Sequence, residues 1–204
     1  MADRPDLSVV IPVYNEVSTL EELHHRLERT LKGLSRSYEI IFVDDGSDDG
    51  SGDLLRLLHA RDPAVRVVRF NRNYGQHAAV FAGLERCRGE VVVTLDADLQ
   101  NPPEEIPKLL ERIEEGCEVV GGLRTPRHDP LVRRWLSWLV NRLTSMTVGV
   151  PMRDYGCMLR AYRRSVVEQL LRCQEISSFI PALANSFAGS VAEQPVAHQP
   201  RVAG

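Results

Sequence analysis

Asp96 and Asp98 are separated by one residue and follow the apolar, β-branched run Val91-Val92-Val93-Thr94-Leu95. Side chains two apart in an extended chain point to the same side. Two carboxylates held that close repel each other unless a proton or a cation shares the space. Hard oxygen donors of this kind suit Mg2+ or Mn2+, which keep water and take phosphate oxygens as further ligands. Gln100 adds a neutral amide oxygen two residues further on. A cation there would neutralise a departing diphosphate, which is Lewis-acid assistance. A D-x-D pair by itself also fits a solvated acidic turn, so its position after a strand is what favours chemistry.

Two more polar constellations follow apolar runs. Tyr14, Asn15 and Glu16 come after Leu7–Val13, and Asp44-Asp45-Gly46-Ser47 comes after Tyr38–Val43. The acidic stretch Asp44–Gly50 resembles a calcium loop only in part. With Asp45 in first place, Gly50 falls sixth as required, but Arg56 stands twelfth where a bidentate Glu is needed. No G-x-x-x-x-G-K-[ST] or G-x-G-x-x-G pattern is present there. Asx-turn chemistry accounts for Gly46, Ser47 and Gly50. Asp44 is left as a strand-end carboxylate able to accept hydrogen bonds from a base or ribose.

These residues need a scaffold that brings strand ends together. Strands over Leu7–Val13, Tyr38–Val43, Val65–Phe70, Val91–Leu95 and Glu118–Leu123 alternate with helices. The helices span Ser18 to about Leu34, Asp53–Ala60, Gln76–Cys87 and Glu104–Glu115, with Ser18 and Glu21 forming a capping box at the first. The pattern predicts a mostly parallel α/β sheet flanked by helices, with right-handed crossovers. Ligands in such sheets bind outside the carboxyl ends of the strands, where all three constellations fall. Beyond Arg124 the pattern predicts a helix over Pro130–Thr147, a loop through Asp154, a strand over Met158–Tyr162 and two helical stretches.

The chain has 204 residues, 43% of them hydrophobic and 26% charged, and fits one globular domain. Its net charge of -3 argues against a nucleic-acid partner. Ten arginines face three acids between Arg124 and Arg172. That local excess reads either as a solvated, snorkelling surface or as a phosphate- and membrane-facing one carrying Trp135 and Trp138. Cys87, Cys117, Cys157 and Cys173 form no C-x-x-C pair, and reduced thiols are expected. No apolar run is long enough to span a bilayer.

Three segments together resemble glycosyltransferase family 2: Val10–Glu16, Val43–Ser47 and Asp96–Glu104. Within it, they resemble the polyprenyl-phosphate sugar transferases. Asp154–Arg164, Ser178–Pro181 and Ala184-Asn185 are similar to members that move 4-deoxy-4-formamido-L-arabinose to undecaprenyl phosphate. The resemblance implies a single GT-A domain, with a nucleotide-sugar half over about 1–123 and an acceptor-side half over about 124–204. It implies inverting transfer from a UDP-sugar to polyprenyl phosphate with Mn2+ or Mg2+. By motif, Pro12, Tyr14, Glu16, Asp44, Asp96 and Ala97 would bind the nucleotide-sugar, and Asp98 with Gln100 the metal. Asp154, Asp98 and Arg124 would be catalytic, and Arg133, Arg134 and Arg160 would meet the acceptor. The family continues past a His-x-x-Arg-x-x-Gly element, here His198, Arg201 and Gly204, into membrane helices. The chain is therefore expected to be a soluble piece of a protein working at the cytoplasmic face of the inner membrane. Transfer to a soluble or saccharide hydroxyl, or a silent nucleotide-sugar-binding role, are the competing expectations.

Overall fold

The structure is a computed structural model, and it describes residues 4–125, 152–173 and 180–200. Strands β1 (Leu7–Val13), β2 (Tyr38–Asp44), β3 (Val65–Arg69), β4 (Val91–Thr94), β5 (Val119–Thr125), β6 (Arg160–Arg163) and β7 (Val191–Ala197) form one sheet. Their order is β3-β2-β1-β4-β6-β5-β7. The pairings β3-β2-β1-β4 and β5-β7 are parallel, while β6 runs antiparallel between β4 and β5. Helices α1 (Leu20–Gly33), α2 (Ser51–Arg61), α3 (Gln76–Arg86), α4 (Ile106–Glu114), α5 (Arg164–Arg172) and α6 (Ile180–Phe187) cover its faces.

All seven residues of β1 are buried, which is why its sequence is apolar at every position but Ser8 rather than alternating. Leu7, Val9, Ile11 and Val13 turn to one face, where they meet Leu20, Leu23, Leu27 and Leu31 of α1 and the apolar side of α4. Val10 turns to the other, where Val80 and Leu84 of α3 and Val166, Val167 and Leu170 of α5 pack. Leucines at Leu20, Leu23, Leu27 and Leu31 make the helical stripe that this face requires.

The α/β pattern expected from the sequence is present through β5, with boundaries shifted by a few residues. The expected capping box is not. Helix α1 begins after Thr19, whose hydroxyl donates to the carbonyl of Glu16 instead of capping a helical N–H. The segment Pro103–Glu105 forms a separate 3-10 turn ahead of α4. Strand β7, unannounced by the residue pattern, lies at the sheet edge and carries Glu193, Gln194 and Pro195. Proline is tolerated at such an edge, but it breaks the apolar signature of a strand. The expected helix over Pro130–Thr147, with Trp135 and Trp138, lies outside the described residues.

Reversal of β6 decides where the site is. Its first residue, Arg160, pairs with Thr94 at the carboxyl end of β4. The loop preceding β6 therefore arrives at the same sheet edge as the carboxyl ends of β1, β2, β4 and β5.

Candidate active site

The carboxyl ends of the parallel strands open into a cleft of about 270 Å³. Its wall takes Pro12, Val13, Tyr14 and Glu16 from β1 and the following turn, and Asp45 from the end of β2. Asn73, Gly75 and Gln76 line it from the entry to α3, and Asp96, Ala97 and Asp98 from the end of β4.

The acidic stretch after β2 serves as a buckle between two turns. The N–H of Asn15 donates to Ser47 Oγ at 3.0 Å, and Asn15 Nδ2 to Asp48 Oδ1 at 2.9 Å. The N–H of Val17 donates to Asp49 Oδ2 at 3.0 Å, and that of Glu16 to Ser51 Oγ at 3.0 Å. Asn15 adopts a positive φ of 54°, which asparagine tolerates better than most residues, and this turns the chain so that Tyr14 overhangs the cleft. Gly46, at φ 73°, lies so close to the backbone of Arg72 and Asn73 that any side chain would collide.

Asp44 lies behind the cleft wall and not on it. It is fully buried, its Oδ1 accepts the N–H of Ser47 at 2.9 Å, and its Oδ2 lies 3.2 Å from Arg69 Nε. Asp45 lines the cleft instead, its two oxygens accepting the N–H groups of Tyr74 and Gly75 at 2.7 and 2.9 Å. A clamped loop from Asn73 to Gln76 thereby becomes a wall of the site, for which the sequence carried no chemical signal beyond its polar residues.

At the end of β4, Asp96 Oδ1 accepts a hydrogen bond from Gln76 Nε2 at 2.8 Å. Burial and the neighbouring Asp98 carboxylate push Asp96 up to about 7, against the Gln76 hydrogen bond and the Arg124 charge, which pull it down. Two carboxylates that disfavour each other's charge in one cleft are a donor set suited to a hard divalent cation. Among the described residues no group of three or more His, Cys, Asp or Glu converges as a metal site. A cation held here would therefore draw further ligands from water, an amide oxygen or a bound diphosphate. Asp98 Oδ1 accepts the N–H of Gln100 at 3.1 Å, and Leu99 takes φ 61° between them. The carbonyl of Gln100 accepts the N–H of Gln199 at 2.8 Å, which ties the chain after β7 to this loop.

Asp154 is 1% exposed and is gripped by Arg124 from the end of β5. Arg124 Nε donates to Oδ2 at 2.7 Å and Nη2 to Oδ1 at 2.9 Å, the two-pronged geometry of a guanidinium on a carboxylate. The N–H of Gly156 reaches Oδ1 at 3.2 Å. Arg160 is fully buried and donates to the carbonyls of Cys157 and Asp154, so the fold encloses it. Arg133 and Arg134 lie outside the described residues.

A mostly parallel sheet with an antiparallel insertion, and a D-x-D pair at the cleft where its strands end, define a GT-A glycosyltransferase fold. Residues 8–171 match the model of glycosyl transferase family 2, and the chain belongs to that family. It is 57% identical over 97% of its length to an undecaprenyl-phosphate 4-deoxy-4-formamido-L-arabinose transferase of Pseudomonas paraeruginosa. It is 54% identical over 96% of its length to the protein of that name from Pseudomonas fluorescens. The chain spans 59% and 58% of the length of these two relatives. Among solved structures, it superposes on a mannosyltransferase of Pyrobaculum calidifontis in complex with GDP-mannose and Mn2+ with a TM-score of 0.69 at 19% identity. That match covers 99% of this chain and 58% of the other. It superposes on glucosyl-3-phosphoglycerate synthase of Mycobacterium tuberculosis with UDP and Mn2+ with a TM-score of 0.62 at 22% identity, covering 98% and 74%. No described helix is long and apolar enough to cross a membrane.

Proposed function

We propose that the chain is the catalytic domain of an inverting, divalent-cation-dependent transferase that moves a sugar from a UDP-sugar to a polyprenyl phosphate. The sugar is 4-deoxy-4-formamido-L-arabinose and the acceptor undecaprenyl phosphate, in line with the names of the relatives above. In the reaction, an acceptor phosphate oxygen forms the bond to the anomeric carbon from the face opposite the diphosphate. The bond from that carbon to the diphosphate oxygen breaks, and its electron pair leaves with UDP.

The observation that carries this reading is the pairing of Arg124 with Asp154 beside the D-x-D cleft. A hydroxyl acceptor would need a carboxylate base at hand, but both oxygens of Asp154 already accept hydrogen bonds from Arg124. A phosphate monoester is largely ionised near neutral pH (second pKa about 6) and needs no base. Asp154 then orients donor sugar or acceptor through Arg124 instead of removing a proton. Tyr14 and Glu16, with Asp45 across the cleft, bind the nucleoside, and Asp96 with Ala97 lies along the ribose and diphosphate. A divalent cation on Asp98, with Gln100, would supply charge neutralisation to the departing diphosphate.

The test uses the full-length protein with radiolabelled UDP-sugar, Mn2+ and undecaprenyl phosphate. Label passing into the lipid extract, and lost in Asp98→Asn, is the expected result. Label appearing only in a water-soluble saccharide would overturn the acceptor. Thermal stabilisation by UDP and Mn2+ without turnover would overturn the enzymatic reading.

A further inference from the structure

Thr94, Arg160, Gly121 and Glu193 stand opposite one another on the adjacent strands β4, β6, β5 and β7. Paired residues on neighbouring strands share a face, so these four make one row across the sheet. The segment from Met152 to Met158 lies along that row. Thr94 Oγ1 donates to the Met158 carbonyl at 2.6 Å. Arg160 Nε donates to the Cys157 carbonyl and Nη2 to the Asp154 carbonyl, each at 2.9 Å. Gly121 leaves the space that the Met152 methyl occupies, since a Cβ there would collide with it and come within 3.2 Å of Arg160 Nη1. Glu193 Oε1 accepts the N–H groups of Arg153 and Asp154 at 2.8 and 2.9 Å.

The backbone of Asp154 is thus held from two sides by charged groups on two different strands. Its N–H goes to Glu193 and its carbonyl to Arg160, while its carboxylate remains aimed at Arg124. Arginine is a costly choice for a fully buried position, where an apolar side chain of similar volume avoids the desolvation penalty. What an apolar side chain lacks is a rigid fork of donors that reaches two loop carbonyls at once.

We propose that Glu193 and Arg160 are positioning residues for the transfer step, acting through Asp154, and that the row Thr94–Arg160–Gly121–Glu193 is the cradle that fixes its loop. The inference rests on the functional reading given above for Asp154. Displacement of a reacting-centre group by about an ångström costs on the order of 100-fold in rate. Glu193→Ala removes the acceptor for two loop amides, whereas Glu193→Gln retains a side-chain oxygen in the same place.

The decisive measurement is steady-state kinetics of the full-length protein with undecaprenyl phosphate, combined with hydrogen exchange of the 152–158 amides. Glu193→Ala is expected to lower kcat by about 10- to 100-fold with donor KM unchanged, and Glu193→Gln to restore most of it. In an Asp154→Asn background, Glu193→Ala should cause little further loss, because residues acting through one group are not additive. Equal losses in both backgrounds, or a rise in donor KM with kcat intact, would overturn the proposal. Should the wild-type protein transfer no sugar to the lipid, the functional reading fails and exchange decides the cradle by itself. Amides of 152–158 should then exchange faster in Glu193→Ala but not in Glu193→Gln, with those of β1 and β2 unaffected. Unchanged exchange at 152–158 sinks the cradle, and Arg160→Met provides a second variant of the same grip.

Discussion

Arg124 and Asp154, separated by thirty residues in sequence, meet in a two-pronged ion pair within electrostatic reach of Asp96, with contacts of 2.7 and 2.9 Å. The arginine side chain is 25% exposed and the aspartate 1%, so the pair leaves its cation partly open and hides its anion. A buried carboxylate stripped of its partner bears a desolvation penalty of about 1–3 kcal/mol or more. Arg124→Ala is therefore expected to lower stability by about that amount in urea denaturation. It should reduce sugar transfer more than it reduces UDP binding. Arg124→Lys keeps the charge but loses the fork, and its transfer rate should fall between the two.

Asp96 gives the cation- and nucleotide-free protein a pH dependence of definite sign. Its carboxyl titrates at about 7 in the folded chain against a reference of 3.8, because burial and Asp98 disfavour the charged form. Below the reference value both states are protonated and nothing is lost. Between there and about 7 the unfolded chain releases the proton first, so stability falls as pH rises. Asp96→Asn is expected to raise the melting temperature at pH 8 and leave it little changed at pH 4. Equal gains at both pH values would show that the carboxylate's charge is not the cause.

Glu39 carries the opposite sign. Burial at the start of β2 raises its pKa, but hydrogen bonds from Ser8, the Arg88 amide and the guanidinium groups of Arg66 and Arg88 outweigh this and leave it lowered. Its contribution is present above the unfolded value near 4.5 and is lost as pH falls through the lower folded value. Glu39→Gln should cost about 1–3 kcal/mol at pH 7, with the difference from wild type closing under acid. Denaturation curves at several pH values test this.

The four cysteines are free, and two of them are buried. Burial pushes the thiols of Cys87 and Cys157 up to about 11. A thiol-alkylating reagent at pH 8 should therefore leave both unmodified in the native protein and label them only after denaturation. Mass mapping of the labelled peptides reads the outcome. Rapid native labelling of Cys157 would show that the loop carrying Asp154 opens.

The sequence by itself determined the layered α/β scaffold and the edge at which chemistry gathers. Strands buried on both faces are mostly apolar, with buried exceptions such as Ser8 in β1 and Glu39 in β2, so β1, β2 and β4 announce themselves, and the polar residues after them fall at strand ends. Asp96-Ala97-Asp98 was legible for that reason. Choosing between Asp44 and Asp45 was not. Adjacent residues of a strand point to opposite faces, and only the packing of Arg69 and Gly52 against Asp44 shows which carboxylate is enclosed and which meets the cleft. Arg160 likewise reads as a surface cation by type, because nothing local reveals that the neighbouring strands β4 and β5 and the Met152–Met158 loop close over it. The antiparallel insertion of β6, the edge strand β7 and the meeting of Arg124 with Asp154 are products of tertiary structure alone. Each depends on pairing between segments far apart in the chain, and local residue pattern carries no record of which strands become neighbours.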